Sequence, residues 1–521
     1  MTPVAAVEEA FEFLTVERLF GVGPDGHAAV GQLAPGRQAR TLARFVDREG
    51  GRVRRRYAAP LPRRRGGAAE GPSLQAKRRG AHNRVTMKHM TLARIAVVMA
   101  GMLVVFVDDA RIGGRAQAAD AIQTGAATAQ TSGRSSPRFA ADGPAADEYG
   151  ARDGYPVRAI MRPRFMVGLF SHFDSLWEAR PVARAAQPSL LVRADTEPAI
   201  AYEYRGRKLD LDDYLARNPA TGLLIARGDT ILVERYQYGR TDNHRLASFS
   251  MVKTVTSMLI GIAIEEGAIR SIDDLAAVYA PSLQGTEFGA NSIRHLLQMT
   301  SGVRFSEDRD ADALWAATMG QAGPGGAESV KAFNDRHRSA GALHNYSSAD
   351  SQVLGLVLAG ALNRPLAQFL QERIWQPMGA EADASWMIDA SGQETAWTGL
   401  NAVLRDYARF GLLLAHGGRS GQRQIIPAHW IRSATQVSAD DPHLQRVWPE
   451  TGMGYGYQVR VFDDRRPMFA LLGACGQAIY VDPRSRLVMV HTAVRRQISD
   501  PNLETLALWR AVVATLGVAL P

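Results

Sequence analysis

The sequence has a single cysteine, Cys475, in 521 residues. No intrachain disulfide can form, so an exported form of this chain would rest on its hydrophobic core. Lysine is scarce too: Lys77, Lys88, Lys208, Lys253 and Lys331 stand against a large majority of arginines. A lysine in so arginine-rich a chain points to a task arginine cannot perform, because a guanidinium holds its proton and a desolvated amine can release it. Metal-ligand spacing is missing. The histidines of the body (His172, His244, His295, His337, His344, His416, His429, His443 and His491) form no H-x-x-x-H or H-E-x-x-H pair, so neither a metal site nor a cofactor is assigned. The body also lacks a positive charge excess. The formal +9 comes from the first 118 residues, which hold 20 basic and 10 acidic side chains and leave 41 against 42 beyond them. Nucleic-acid binding is set aside on that ground.

What is present begins with a targeting pattern. Met87-Lys88-His89-Met90 and Arg94 precede an apolar run at 95–107, and Ala116-Gln117-Ala118 has the small-x-small form of a signal-peptidase site. Residues 87–118 read as a secretory signal peptide, with an uncleaved N-terminal anchor as the alternative. The apolar run falls short of the roughly 20 residues of a spanning helix, and membrane attachment through 95–107 would follow only without cleavage. Residues 1–86, with Arg54-Arg55-Arg56 and Arg63-Arg64-Arg65, are either an over-extended translation start or a disordered basic extension. Residues 119–156 are rich in Ala, Gly, Ser, Asp and Pro and suit a flexible tether. The folded domain is expected over 157–521, in the periplasm or outside the cell.

Within that domain, β-rich runs at 223–226 and 230–236 flank Arg227-Gly228-Asp229 as a hairpin. The helix that Ser250 opens is apolar nearly all round, with Gly267 as its stop. Residues 271–409 carry mainly helical signals. Strands return at 457–462, 468–472, 477–481 and 487–493, and Asp500 with Pro501 opens a last helix. Early and late strands that bracket a helical middle imply an α+β fold: one antiparallel sheet closed by both chain ends and flanked by helices, plus a helical subdomain at about 271–409.

Ser250-Met251-Val252-Lys253 sets a hydroxyl and an amine one turn apart at the mouth of this apolar helix. A serine hydroxyl is a poor nucleophile until a base takes its proton, and the helix start adds a free N–H and a positive dipole end for a developing oxyanion. By itself, S-x-x-K reads more readily as a capped helix with an exposed lysine. Two further segments change that balance: Tyr346-Ser347-Ser348 ahead of a helix, and Gly473-Ala474-Cys475-Gly476-Gln477 opening a strand.

In this order and spacing the three segments resemble the serine β-lactamase and penicillin-binding-protein superfamily, in its class C-like esterase and amidase branch, and within it the 6-aminohexanoate-dimer hydrolase group. Supporting stretches are 293–302, Gly399-Leu400-Asn401-Ala402 and Gly454-Tyr455-Gly456-Tyr457, so the resemblance spans roughly 200–515. It implies the β-lactamase/DD-peptidase fold. Ser250 would be the acylated nucleophile, Lys253 its base, and Tyr346 the group that exchanges protons with leaving group and water. The N–H groups of Ser250 and Gln477 would form the oxyanion hole, with Ser348, Cys475, Gly476 and Asn401 around the substrate.

Two departures stand out. Ser348 occupies the position of the second motif that usually holds Asn, with a shorter reach. Ala474 replaces the Lys or His that usually begins the third motif and grips the substrate carboxylate, which argues against β-lactams and D-Ala-D-Ala peptides. Cys475 aligns with a histidine of the 6-aminohexanoate-dimer hydrolase pattern, and as a residue it reads as a small buried hydrophobe. The expected function is hydrolysis of small-molecule esters or amides through an acyl-enzyme on Ser250. The alternatives are a β-lactamase or D-alanyl-D-alanine carboxypeptidase, which would need a carboxylate-binding cation such as Arg460 or Arg495, and a non-catalytic envelope binding protein. Residues 303–345 are a candidate lid.

Overall fold

The computed structural model describes residues 162–319, 323–462, 466–496 and 502–517. The expectations for the leader, the tether, Asp500 and Pro501 lie outside these residues. Twelve strands and five helices position the site. In chain order the strands are β1 (Ala179–Val182), β2 (Val192–Arg193), β3 (Ala220–Arg227), β4 (Thr230–Tyr236), β5 (Leu246–Ala247), β6 (Ala384–Met387), β7 (Leu400–Ala402), β8 (Met453–Tyr455), β9 (Arg460–Phe462), β10 (Phe469–Gly473), β11 (Gln477–Asp482) and β12 (Leu487–Ala493). The helices are α1 (Val252–Glu265), α2 (Glu307–Met319), α3 (Ser348–Leu362), α4 (Leu404–Ala415) and α5 (Leu503–Leu516).

The main sheet runs β8-β9-β10-β11-β12-β3-β4-β2, so strands from both ends of the domain meet where β12 pairs with β3. Every pairing is antiparallel except that of β2 with β4. Strands β11, β12 and most of β3 are buried along their whole length, because both faces of the sheet are covered. Leu224, Ile479, Val481, Val488 and Val490 join the core that includes α1, α3 and α4. Ile225, Ala478, Tyr480 and Met489 face the other way, with Leu508 and Trp509 of α5. Continuous apolar runs, rather than alternation, are the sequence mark of strands covered on both sides. The hydrophobic effect at about 25 cal/mol per Å² of apolar surface makes these two layers the main source of stability.

The stretch 271–409 is not purely helical. Strands β6 and β7 lie within it and form a second sheet in the order β1-β6-β7-β5. Their runs, Ala-Ser-Trp-Met and Leu-Asn-Ala, are too short for periodicity to tell strand from helix. The strand expected at 457–462 shrinks to β9, because Gln458 takes a left-handed backbone (φ 60°) and the Tyr457 N–H turns away to the Ala434 carbonyl. The last helix starts at Leu503 behind Asn502, itself left-handed at φ 54° and without a side-chain cap. Gly267 does end the run after α1, at φ 77°. Among the described residues no single helix is long and apolar enough to cross a membrane.

Candidate active site

Ser250 sits in a 3-10 turn, Phe249–Met251, that runs directly into α1. Phe249 holds a left-handed backbone at φ 44°, a conformation that costs a non-glycine residue roughly 1–3 kcal/mol. Edge-to-face packing holds it there, with ring centroids 4.8 Å from Phe170 and 5.5 Å from Phe173. The first hydrogen bond of the turn is from the Met251 N–H to the Ser248 carbonyl, 3.2 Å. The N–H of Ser250 precedes it and is left unused by the helix. From the sheet side, Gly473 closes on the same turn. A Cβ there would stand 2.5 Å from the Ser248 carbonyl oxygen and 3.2 Å from Phe249 Cβ, so glycine lets the end of β10 reach the nucleophile turn.

Lys253, one turn on, is 1 % exposed. Its Nζ donates to Ser250 Oγ at 2.7 Å, to Ser348 Oγ at 3.1 Å and to the Trp397 carbonyl at 3.1 Å. Ser348 therefore reaches the amine despite its short side chain. It does so from the first turn of α3, capped by Ser347, whose hydroxyl accepts from the Asp350 N–H. Ser348 Oγ in turn donates to Glu307 Oε1 at 2.5 Å, and its N–H donates to Glu307 Oε2 at 3.1 Å. Glu307 opens α2, inside the stretch taken as a lid. Neither Glu307 nor Trp397 was singled out from the sequence. Nothing local marks Glu307, whereas Trp397 stands two residues before the Gly399 stretch.

The Tyr346 ring lies 5.1 Å from Lys253 Nζ, centroid to nitrogen. Its hydroxyl makes no hydrogen bond to Lys253 or Ser250 in this structure. Around it are Trp448 and Tyr455, at 6.3 and 6.2 Å between centroids, and the Arg460 guanidinium at 5.6 Å. Tyr455 is buried, and that burial, reinforced by Tyr346, holds its phenol well above the ordinary range. Burial and Arg460 push the neighbouring His344 down to about 3, so its ring is neutral near pH 7. A second aromatic group adjoins Lys253, with the Trp397 centroid 5.8 Å from Nζ: Trp397, Trp315 and Trp177 meet edge to face, with 5.8 Å between successive centroids.

The third motif is braced from behind. His491 donates from Nδ1 to the Gly476 carbonyl at 2.6 Å, and Nε2 takes a hydrogen bond from the Tyr214 hydroxyl at 3.0 Å. That requires a neutral ring, and burial, with Arg495 adding to it, pushes His491 down to about 3. Arg495 is spent on Asn218, Asn502 and Thr505 behind Gly476. The Gln477 N–H closes the short turn onto the Ala474 carbonyl, so of the two expected oxyanion donors only that of Ser250 is left open. Cys475 is fully buried among apolar side chains, and burial pushes its thiol up to about 12. Asn401, in register with Ala247 on the strand that leads to Ser250, makes no side-chain hydrogen bond to Ser250 or Lys253; its amide donates to Ser385 Oγ and the Gly399 carbonyl. A cleft of about 770 Å³ bordered by Ser189, Asp229, Arg409, His416 and Arg486 shares no residue with this cluster.

The profile of the family described as Beta-lactamase matches residues 210–511, more than half of the chain and the span that holds all three motifs. This chain belongs to the beta-lactamase family. As a member of that family it is a hydrolase with the β-lactamase/penicillin-binding-protein fold, an α+β arrangement of antiparallel sheets and helices. It is 24 % identical over 335 residues to the 6-aminohexanoate-dimer hydrolase of Paenarthrobacter ureafaciens, covering 61 % of this chain and 83 % of that protein. A solved Bacillus anthracis protein provisionally assigned as a 6-aminohexanoate-dimer hydrolase superposes with a TM-score of 0.62 at 21 % identity, over 71 % of this chain and 97 % of that one.

Proposed function

We propose that this β-lactamase-family hydrolase cleaves small-molecule esters or amides through an acyl-enzyme on Ser250. The observation that carries the reading is the set of three partners around Lys253 Nζ. The Trp397 carbonyl can only accept. Ser348 gives its proton to Glu307, so it too presents a lone pair to the amine. The ammonium donates to all three; an amine that has lost one proton and keeps its bonds to Ser348 and the Trp397 carbonyl has committed both remaining N–H bonds, and its lone pair is left facing Ser250 Oγ, 2.7 Å away. That orientation is what a general base needs.

Lys253 then takes the hydroxyl proton as Oγ attacks the carbonyl, and the resulting ammonium keeps all three contacts. The Ser250 N–H receives the oxyanion, while the Gln477 N–H joins it only once its turn onto Ala474 opens. Tyr346 passes the proton from Lys253 to the departing alcohol or amine. Water, deprotonated by the same route, attacks the acyl-enzyme, releases the acid and returns the proton to Ser250. The resemblance of this chain to the 6-aminohexanoate-dimer hydrolase of Paenarthrobacter ureafaciens supports amides among its substrates.

The test is intact-protein mass spectrometry of the folded domain after exposure to a fluorophosphonate, with Ser250→Ala as control. A single adduct that is lost in the variant is expected. A folded protein that takes no adduct sinks this reading and favours a non-catalytic envelope binding protein.

A further inference from the structure

The cleft that shares no residue with the Ser250 cluster has a lining of its own kind. Its volume, about 770 Å³, falls within the roughly 300–1,000 Å³ of small-molecule sites. The floor is apolar, formed by Leu412 and Leu413 of α4 with Met378 and Leu191. Glycine at 411 lets α4 sit close on the sheet there, where a Cβ would stand 2.7 Å from Val488 and 2.9 Å from Ile479. Leu190 stands at the edge of the cleft and is 76 % exposed, a large apolar side chain that the rest of the chain leaves uncovered.

The rim is charged. Arg486 lies in the turn between β11 and β12 with a left-handed backbone at φ 53°, and its carbonyl accepts the Gly228 N–H at 3.1 Å, which ties this turn to the one between β3 and β4. Among the described residues its side chain makes no hydrogen bond, ion pair or ring contact. Arg419, in the loop after α4, donates only to Gln422 of the same loop. Arg409 differs from both: Asp406 and Glu381 neutralise it, and it holds the Ser189 carbonyl at 2.8 Å. Burial pushes His416 below its ordinary value, so its ring is neutral near pH 7. Asp229 is the acid on this rim, and it accepts from the Thr230 hydroxyl at 3.2 Å. Two arginines without an acid partner therefore stand against one carboxylate.

An alkyl chain gains by covering apolar lining, and a guanidinium edge offers paired N–H donors to the oxygens of a carboxylate or phosphate. A wholly apolar or a wholly ionic ligand uses only half of this cleft. We propose that it binds a single-chain amphiphile with an anionic head, the chain over Leu412 and Leu413 and the head at Arg486 and Arg419. The head is a carboxylate, as on a free fatty acid, or a phosphate, as on a single-chain phospholipid. The site is independent of the chemistry at Ser250.

The full chain carrying Ser250→Ala is titrated calorimetrically with decanoate, decyl phosphate, neutral decyl maltoside and inorganic phosphate, each below its micelle threshold. Decanoate or decyl phosphate is expected to bind at one site, at least about tenfold more tightly than decyl maltoside or inorganic phosphate, as one charge-assisted contact corresponds to about that factor. Binding of decanoate alone assigns a carboxylate head, and binding of decyl phosphate alone assigns a phosphate head. Arg419→Gln combined with Arg486→Gln should remove that preference over decyl maltoside. Leu190→Ser, at an exposed position, should weaken the anionic amphiphiles and leave inorganic phosphate unaffected. Anionic amphiphiles that bind the double variant as well as the parent lie elsewhere, and that result overturns the proposal. So does inorganic phosphate or decyl maltoside that matches them in affinity, or the absence of binding by both.

Discussion

At the scale of single residues, the decisive feature is the direction of one hydrogen bond. Glu307 is an acceptor and nothing else when ionised, so Ser348 must point its proton at Glu307 and its lone pair at Lys253. Glu307→Gln keeps the size of the side chain but brings an amide that can donate to Ser348. The hydroxyl proton then turns toward Lys253 and competes with the orientation of the amine. Glu307→Gln is expected to lower kcat by about ten- to hundredfold with KM little changed, and to slow fluorophosphonate labelling in parallel. Glu307→Asp should recover part of the loss. A Glu307→Gln enzyme with unchanged labelling rate and unchanged kcat would show that the carboxylate only holds α2 to α3.

At the scale of elements, the site depends on the strand β10 meeting the turn that carries Ser250. Phe249 is held left-handed by two aromatic neighbours, and Gly473 lets the strand end come within van der Waals reach of that turn. Gly473→Ala inserts a Cβ 2.5 Å from a backbone carbonyl, which cannot swing aside as a side chain can. A loss of about 1–3 kcal/mol of stability is expected from such overpacking, read from denaturant midpoints, together with a slower labelling of Ser250. A stability loss without any change in labelling would mean that the turn and the strand are not coupled. The brace behind the third motif works at the same scale: His491 of β12 holds the Gly476 carbonyl, Tyr214 of the helix Leu211–Arg217 holds His491, and Arg495, just past β12, reaches Tyr214.

At the scale of the whole molecule, buried ionisable groups shape the response to pH. Asp350, buried in α3 next to the second motif, accepts from Ser301 Oγ at 3.0 Å and has its other oxygen unpartnered; burial pushes its carboxyl up to about 7. An ordinary aspartate titrates near 3.9. The folded state therefore holds a proton that the unfolded state has lost, and its contribution, complete below about 4, is lost as pH rises through about 7. Asp350→Asn abolishes that dependence. Relative to the wild type, the variant should gain stability between pH 4 and pH 7.5, on the order of 1.4 kcal/mol for each unit of displacement as an upper bound. Urea midpoints at the two pH values read the gain, and a difference that stays constant with pH would place the Asp350 proton equilibrium elsewhere. His344 and His491 act in the opposite sense: buried neutral, they draw stability down as pH falls below about 6.5.

What the sequence by itself determined is what short-range geometry carries. Ser250 and Lys253 meet because residues three apart share a helix face, and β3, β4 and β12 were legible as apolar runs with turn signals at their ends. The α+β class followed from the order of those runs. The tertiary structure alone decided the rest. Glu307 reaches Ser348 across 41 positions, Lys253 finds the Trp397 carbonyl across 144, and Arg460 stacks on Trp448 over Tyr346 rather than pairing with an acid. Such meetings leave no periodicity in the chain, because they depend on how helices seat against the sheet and not on the repeat of any one element.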